Sequence, residues 1–463
     1  MKYLNALKKA KAEGRQVVIP DIKRYSPKDG ELLAGRDPAD YALALIKAGA
    51  PALSVVTEET EFKGSLSMLQ SVAEAAGRYN VPVLRKDFIH TREDLIQTKE
   101  SGASAILLMC SCLKPEELKY LYGEALSLGL DPFVETHRAE DFALVHELGA
   151  ELIGINNRDI LKLERDNGDV GNTLGLLEYA PENAFLVTES SIKDPSEVRL
   201  AVNGLSLSGA GKRTRGADAA LVGTAIAKAP EPDVFYRMLT RKTSLKVCGL
   251  MNKEDIALCV RCGVERIGIV TEYPLYVPWN VDAETAAELR KAVPEGFCPV
   301  MVTGGSPEKI LSLSKLVKPG MVQLHYMETL EETACISREL KKQGIGVIKT
   351  VPMDTASRMK QFGTADLAKI VSSLCATDVS ELLVDPRHGR DVARRDLHAD
   401  EELFARIKAL SDKPVILAGG ITGDNIKEML LRTGAEAVDI MNGSEDAPGK
   451  KSLEKVRKIA DAV

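Results

Sequence analysis

Short apolar runs, bounded by turn formers and separated by helical patterns, recur along the whole chain. In the first half they are Val17–Ile22, Leu53–Val56, Pro82–Asp87, Ala105–Met109, Pro132–Thr136, Leu152–Asn156, Ala184–Glu189 and Ala219–Gly223. In the second they are Leu245–Gly249, Arg266–Val270, Cys298–Thr303, Met321–His325, Gly346–Val351, Glu381–Asp385, Pro414–Gly419 and Ala437–Met441. Nearly continuous Val, Ile and Leu, without alternation, is how strands covered on both faces read. Several runs follow a helical pattern that closes on a glycine: Ala48-Gly49-Ala50, Ser101-Gly102-Ala103, Leu148-Gly149-Ala150, Cys262-Gly263-Val264 and Thr433-Gly434-Ala435. A glycine there suits the left-handed position just after a helix. Eight such strands in each half, alternating with helical patterns of which several end in glycine, predict an α/β fold of two tandem (β/α)8 barrels, each of the usual ~250-residue size. The structural rival, a doubly wound open sheet, would not naturally stop at eight strands twice. The boundary is expected near Arg237–Ser244, where Met238-Leu-Thr-Arg-Lys-Thr-Ser244 reads as a short polar link, giving domains 1–240 and 241–463.

Composition supports a globular protein and narrows its partners. With 463 residues, 44% hydrophobic and 28% charged, the chain has material for more than one core. A formal net charge of −6 argues against nucleic acid and anionic membrane as partners, so any anion must be held by local geometry. No apolar run approaches the ~18 residues of a membrane span. The lysine-rich stretch Met1–Gly14 lacks the apolar core of a signal peptide and reads as a short helix, so a cytoplasmic location is expected. The eight cysteines are scattered, and only Cys259 and Cys262 stand at x2 spacing. A zinc site needs four ligands, so no metal is expected and the thiols read as reduced.

The loops after strands seven and eight of such barrels are a standard phosphate site, where small residues let backbone N–H groups approach the anion. Both halves have them: Val187-Thr-Glu-Ser-Ser-Ile192 and Ala220-Leu-Val-Gly-Thr224 in one, Leu417-Ala-Gly-Gly-Ile421 and Val438-Asp-Ile-Met-Asn-Gly443 in the other. A phosphorylated small molecule is expected in each. Side chains at strand C-termini face the active site. In the first half these are Asp21, Lys23, Lys86, Asp87, Glu135, His137, Asn156, Arg158 and Glu189. Two lysines facing several carboxylates allow one lysine to act as a general acid whose pKa its neighbours set. In the second half they are Lys246, Cys248, Gln323, His325, Lys349, Asp385 and Asp439.

At these residues the first half resembles indole-3-glycerol-phosphate synthase. The likeness rests on Ile22-Lys-Arg-Tyr-Ser-Pro27, Leu53-Ser-Val-Val-Thr-Glu58 with Phe62-Lys-Gly-Ser65, Val83-Leu-Arg-Lys-Asp-Phe88, Val134-Glu-Thr-His137, Ile153-Gly-Ile-Asn-Asn-Arg-Asp159 and Thr188-Glu-Ser-Ser191, in that family's order over about residues 17–230. The resemblance implies closure of an indole ring with loss of CO2 and water, without metal or organic cofactor. It makes Lys86 the general acid and Glu135 the second acid/base group, supported by Lys23 and Asp21. Ser26, Asn156, Arg158, Glu189 and Ser190 would line the pocket, with Phe62 and Phe88 against the aromatic ring. Ser191, Gly223 and Thr224 would take the phosphate. The chain departs from the family in having Asp21 for Glu, in a shortened N-terminal extension whose helix elsewhere covers the pocket, and in the Gly-, Ser-, Lys- and Arg-rich loop Asn203–Gly216.

The second half resembles phosphoribosylanthranilate isomerase, through Lys246-Val-Cys-Gly249, Val322-Gln-Leu-His325, Val347-Ile-Lys349, Leu383-Val-Asp385, Leu417-Ala-Gly-Gly-Ile421 and Asp439-Ile-Met-Asn-Gly-Ser-Glu445, over about residues 244–460. An Amadori rearrangement is implied, with Asp385 as acid and Cys248 as base. A thiolate beside Lys246 in an electropositive pocket would serve as that base. Lys246, Gln323 and His325 would bind substrate, and Gly419, Gly420, Asn442 and Gly443 its phosphate. The family's Ser-x-Arg element after strand two is absent, and Glu272-Tyr-Pro-Leu-Tyr-Val-Pro-Trp279 stands there. Ala393-Arg-Arg-Asp-Leu-His398 replaces a glycine-rich stretch after Asp385, and Arg387, Arg390, Arg394 or Arg395 would have to supply the lost cation. The leading expectation is a bifunctional tryptophan-pathway enzyme. A divergent paralogue with phosphate-binding barrels acting on a different sugar phosphate, or with only one half active, is the first alternative. A non-catalytic ligand-binding protein is the second. Protein partners are not readable.

Overall fold

The computed structural model describes residues 2–158, 170–204, 215–386 and 397–463. The chain divides into two compact units between Arg241 and Lys242. In the first, eight parallel strands close into a barrel: β1 (Val17–Ile22), β2 (Leu53–Val56), β3 (Val83–Lys86), β4 (Ala105–Met109), β5 (Asp131–Thr136), β6 (Leu152–Asn156), β7 (Phe185–Glu189) and β8 (Ala219–Val222). Closure is made by β1, which pairs with β8 through Val17–Pro20 and with β2 through Asp21 and Ile22. In the second, β9 (Ser244–Val247), β10 (Arg266–Val270), β11 (Cys298–Thr303), β12 (Met321–Leu324), β13 (Gly346–Pro352), β14 (Glu381–Asp385), β15 (Val415–Ala418) and β16 (Ala437–Ile440) close in the same way, β9 lying between β10 and β16. The fold is therefore two tandem (β/α)8 barrels.

The five glycines expected to end helices all have positive φ: 107° at Gly49, 84° at Gly102, 61° at Gly149, 70° at Gly263 and 57° at Gly434. Strand ends differ from the expectation by a residue or two. Gly223, Gly249 and Gly419 fall just beyond β8, β9 and β15, where the chain leaves the ladder towards the site. One larger difference concerns the link. Met238 and Leu239 are not part of a polar connection but the buried end of the helix Pro232–Leu239. Its apolar residues Val234, Phe235, Met238 and Leu239 recur at helical spacing, and the buried Tyr236 hydroxyl donates to the Val18 carbonyl at 3.0 Å.

The helix Lys2–Ala12 closes the floor of the first barrel. Tyr3, Leu4, Leu7 and Ala10, one helical stripe, are buried in a single cluster with Val17, Ile19, Ala105, Phe133, Leu152 and Ala219 from five strands. Polar ties run to residues at or just before strand starts: the Leu4 amide to Asp131 Oδ2 at 2.9 Å, Lys8 to Glu151 at 3.3 Å, and Lys11 to Asp218. The helix thus sits at the end opposite the strand C-termini. In the second barrel a buried pair spans the floor, with Arg266 Nη2 donating to Glu381 Oε1 at 2.8 Å. No helix among the described residues is long and apolar enough to cross a membrane.

Candidate active sites

At the strand C-termini of the first barrel lies an open pocket of about 540 Å³. Asp21, Lys23, Lys86, Asn156, Arg158 and Ser190 supply its polar side; Phe62, Phe88, Leu107 and Met109 supply its apolar side. Lys23 Nζ lies 5.6 Å from the centre of the Phe62 ring. Asp21, the shortened carboxylate, accepts from the Ser54 hydroxyl at 2.7 Å. Asn156 Oδ1 accepts from the Arg158 amide at 3.0 Å, and Arg158 Nε donates to Ser191 Oγ at 2.9 Å.

Lys86 is the hub. Its Nζ is 2.9 Å from Glu189 Oε2 and 3.2 Å from Glu135 Oε2, at the ends of three different strands. Burial pushes the ammonium down, but the Glu189, Glu135 and Asp21 carboxylates outweigh it and hold Lys86 well above its usual range. Burial pushes the Glu189 carboxyl up, to about 7, against the pull of Lys86. Glu189 reaches this place only because β6 carries Gly154. A Cβ at that position would stand 1.9 Å from Glu189 Oε1 and 3.1 Å from the Phe133 ring.

Ser26, Ser191, Gly223 and Thr224 lie around this pocket without lining it. Ser26 Oγ is buried and accepts from the Lys28 and Asp29 amides, both at 3.3 Å. Ser190 and Ser191 follow β7 in succession with φ of 67° and 60°, a left-handed conformation rare for serine. Gly223 packs on the Asp21 backbone, where a Cβ would come within 3.1 Å of the carbonyl oxygen, and Thr224 begins a short helix. Asp159 and residues 205–214 of the Asn203–Gly216 loop lie outside the described residues. Glu58 was not expected. It lines the pocket and gathers the amides of Thr60, Glu61 and Phe62 at 2.7–2.9 Å, which fixes the loop that presents Phe62. Its signal was an acidic residue just past a strand, followed by a short polar loop.

The second barrel has a pocket of about 380 Å³ at the same end. Cys248 after β9 and Asp385 ending β14 both line it, with Gln323, His325 and Asp439. His325 Nδ1 lies 3.1 Å from Gln323 Nε2 and 3.0 Å from Thr350 Oγ1, and its Nε2 is 4.0 Å from Asp385 Oδ2. Nδ1 is thus tied to Gln323 and Thr350 while Nε2 faces Asp385. Lys246 lies below the pocket, paired with Asp439 Oδ2 at 2.7 Å. Asp439 thus offsets part of the positive charge expected beside Cys248. Burial raises the thiol, Lys246 and Lys451 pull it down, and Asp439 pushes it up; the net shift is upward. Gly268 on β10 makes room for the pair, since a Cβ there would meet Cys248 Sγ at 3.0 Å and Lys246 Nζ at 3.1 Å.

Where the Ser-x-Arg element was missed, the structure has an aromatic wall. Tyr273, Val277 and Trp279 line the pocket, and Tyr273 is anchored by its hydroxyl on the His325 carbonyl at 2.8 Å. Trp279 is the chain's single tryptophan, placed one loop after a strand, and that was the available signal. Arg387, Arg390, Arg394 and Arg395 lie outside the described residues. A further pocket of about 270 Å³, sharing Asp439 and Met441 with the first, is lined by Gly419, Gly420, Asn442 and Gly443. A Cβ at Gly443 would stand 1.9 Å from the Ile421 carbonyl oxygen, so the two loops meet backbone to backbone. Among the described residues, no group of three or more His, Cys, Asp or Glu side chains is placed to hold a metal ion.

Comparison with known proteins gives these pockets their families. The family model "Indole-3-glycerol phosphate synthase" matches residues 1–239, and "N-(5'phosphoribosyl)anthranilate (PRA) isomerase" matches residues 245–462. An indole-3-glycerol phosphate synthase from Thermococcus kodakarensis is 41% identical over 50% of this chain and 93% of its own. A multifunctional tryptophan biosynthesis protein from Phanerodontia chrysosporium is 28% identical over 97% of this chain, which spans 63% of that relative. A solved phosphoribosyl anthranilate isomerase from Thermus thermophilus is 26% identical, covering 48% of this chain and 98% of its own, with a TM-score of 0.39. The chain belongs to the indole-3-glycerol phosphate synthase family and carries that domain fused to a phosphoribosylanthranilate isomerase domain, the pairing of a multifunctional enzyme of tryptophan biosynthesis.

Proposed function

We propose that the second pocket isomerises N-(5-phosphoribosyl)anthranilate and the first closes the product into indole-3-glycerol phosphate, with domains 1–240 and 241–463. In the second pocket Asp385 protonates the ribose ring oxygen, which breaks the C1–O bond and leaves an iminium. Cys248, as thiolate, takes the C2 proton; the resulting enolamine tautomerises to the aminoketose. Cys248 and Asp385, on different strands and lining one cavity, support this division of roles. Gln323 and His325 bind the sugar hydroxyls, Lys246 sustains the thiolate from below, and the phosphate sits against Gly419, Gly420, Asn442 and Gly443.

In the first pocket the ring carbon bearing the carboxylate attacks the ketone carbon, and Lys86 gives its proton to the ketone oxygen. Loss of CO2 restores the aromatic ring. The new hydroxyl then takes a second proton, from Lys86 recharged from solvent, and leaves as water, while Glu135 takes up the carbon-bound proton released as the indole double bond forms. Lys23 holds the substrate carboxylate, backed by Asp21, between Phe62 and Phe88. Asn156, Arg158, Glu189, Ser190 and Ser26 shape the site, and Ser191, Gly223 and Thr224 take the phosphate. The observation that carries this reading is Lys86 Nζ between Glu189 and Glu135 at 2.9 and 3.2 Å, on the floor of an aromatic-walled pocket. Lys86→Ala should cost ~10²–10⁴-fold in ring closure, the range of general acid catalysis. Turnover within about threefold of the parent would remove Lys86 from that role. Both substrates are phosphorylated, and a cytoplasmic location fits their chemistry.

A further inference from the structure

The proposed isomerase chemistry makes no use of one buried ion pair that touches two walls of its pocket. Glu445 and Lys451 face each other on a hairpin that follows β16, formed by β17 (Glu445–Ala447) and β18 (Lys450–Lys451). Both side chains are wholly buried and lie 2.9 Å apart. Glu445 Oε1 also accepts the indole N–H of Trp279 at 2.9 Å and the Gly449 amide at 3.2 Å. Lys451 Nζ donates to the backbone carbonyl of Cys248 at 2.6 Å, and the Lys451 amide is held by Asp255 Oδ2 at 3.0 Å. One carboxylate therefore ties the aromatic wall to a lysine, and the lysine grips the residue that carries the thiol.

Hairpin packing alone does not call for these charges. Replacing a buried ion pair by apolar residues of similar volume is often neutral or stabilising. What the pair supplies is direction and sign: fixed hydrogen bonds to Trp279 and Cys248, and a cation next to a sulfur that burial keeps protonated. We propose that Lys451, held by Glu445, is a positioning residue for Cys248, fixing its backbone and favouring its thiolate, while the same carboxylate sets Trp279 against the substrate's aromatic ring. The proposal rests on Cys248 being the base. The charged and titratable groups facing the thiol are Lys246 on its own strand, Asp439 on β16, Lys451 on the hairpin, and His325 and Asp385 across the pocket. Lys246 is engaged by Asp439 on the sulfur's own side. Lys451 is engaged by Glu445 across the hairpin, at 2.9 Å.

The test uses the full chain with phosphoribosylanthranilate as substrate. Two pH curves are recorded: isomerase kcat/KM, and iodoacetamide alkylation of Cys248 read from its peptide by mass spectrometry. Lys451→Met should move the acid limb of both curves up by about one pH unit, a tenfold loss below the limb, with KM within about twofold of the parent. Lys451→Arg, which keeps the charge, should restore the limb. Glu445→Gln keeps an acceptor for Trp279, so it should lower kcat more than it raises KM. Should Lys451→Met fail to fold, the double variant Lys451→Met with Glu445→Gln leaves no unpaired charge and should show the same upward shift. Parental positions of both curves in a folded Lys451 variant would overturn the proposal. Cys248→Ser separates the two readings. If it turns over like the parent, the base assignment itself falls; if it is inactive while the Lys451 variants keep parental curves, only the positioning role falls.

Discussion

Gly154→Ala should disable the synthase without touching any group that reacts. The added methyl would stand 1.9 Å from Glu189 Oε1, 3.1 Å from its carboxyl carbon and 3.1 Å from the Phe133 ring. Non-bonded heavy atoms settle at about 3.5–4.0 Å, so the carboxylate must move by more than an ångström. Glu189 has no exposure to retreat into, and Phe133 is also fully buried. The 2.9 Å contact to Lys86 is therefore lost, while the 3.2 Å contact to Glu135 survives. Overpacking of this kind costs ~1–3 kcal/mol, or ~2–12 °C in the melting of a unit this size. Ring closure should fall by ~10²-fold, because a proton donor displaced by about an ångström loses that much. The assay is steady-state synthase turnover beside isomerase turnover in the same preparation, with the isomerase held within twofold as the control. A cycle locates the cause: in a Glu189→Gln background the same substitution should cost much less than it does alone. Parental ring-closure turnover in folded Gly154→Ala would refute the reasoning, as would a full additive loss in the double variant.

Glu189 should also be visible in the pH profile. Its carboxyl is pushed up to about 7, so it ionises as pH rises through neutrality and then holds the Lys86 proton more firmly. Ring closure should slow through that interval, and Glu189→Gln should flatten the profile there; an unchanged inflection would assign it to another group. Leu7→Ala removes a wholly buried side chain from the floor helix and should destabilise the first unit by ~2–5 kcal/mol; calorimetry showing less than 1 kcal/mol would mean that helix is not part of the core. Asp385→Asn removes the proposed acid and should abolish isomerase turnover while leaving ring closure intact, which a two-substrate assay reads directly.

Much of the fold was legible because burial on both faces leaves continuous apolar runs, and because the left-handed turn after a helix calls for glycine. Strand ends such as Gly223 and Gly249 were less so, since a turn towards the site and a last ladder residue use the same small residues. The helix ending in Met238 and Leu239 was hidden by the polar residues that follow it. The grouping of Lys86, Glu135 and Glu189 followed from strand position alone, as side chains at three strand ends converge whatever their separation in sequence. What the strand-end rule could not reach were groups that act through the backbone or from loops. Glu58 caps a loop, Trp279 occupies the place of a motif that is missing, and Glu445 and Lys451 meet only through a hairpin register. The setting of Cys248 was legible only in part for a related reason: Asp439 meets Lys246 only in three dimensions, and the burial that raises the thiol depends on packing that strand-end residues do not show.

The central claim is that one chain carries out two successive steps in two separate pockets. Its most direct test feeds phosphoribosylanthranilate to the purified full chain and follows intermediate and product by chromatography. The parent should form indole-3-glycerol phosphate. Lys86→Ala should stop at the carboxyphenylamino-deoxyribulose phosphate. Cys248→Ser should leave the first substrate unconverted yet still close the ring when given that intermediate. A parent that leaves phosphoribosylanthranilate untouched, or a Lys86→Ala variant that still delivers indole-3-glycerol phosphate at the parental rate, would contradict the account.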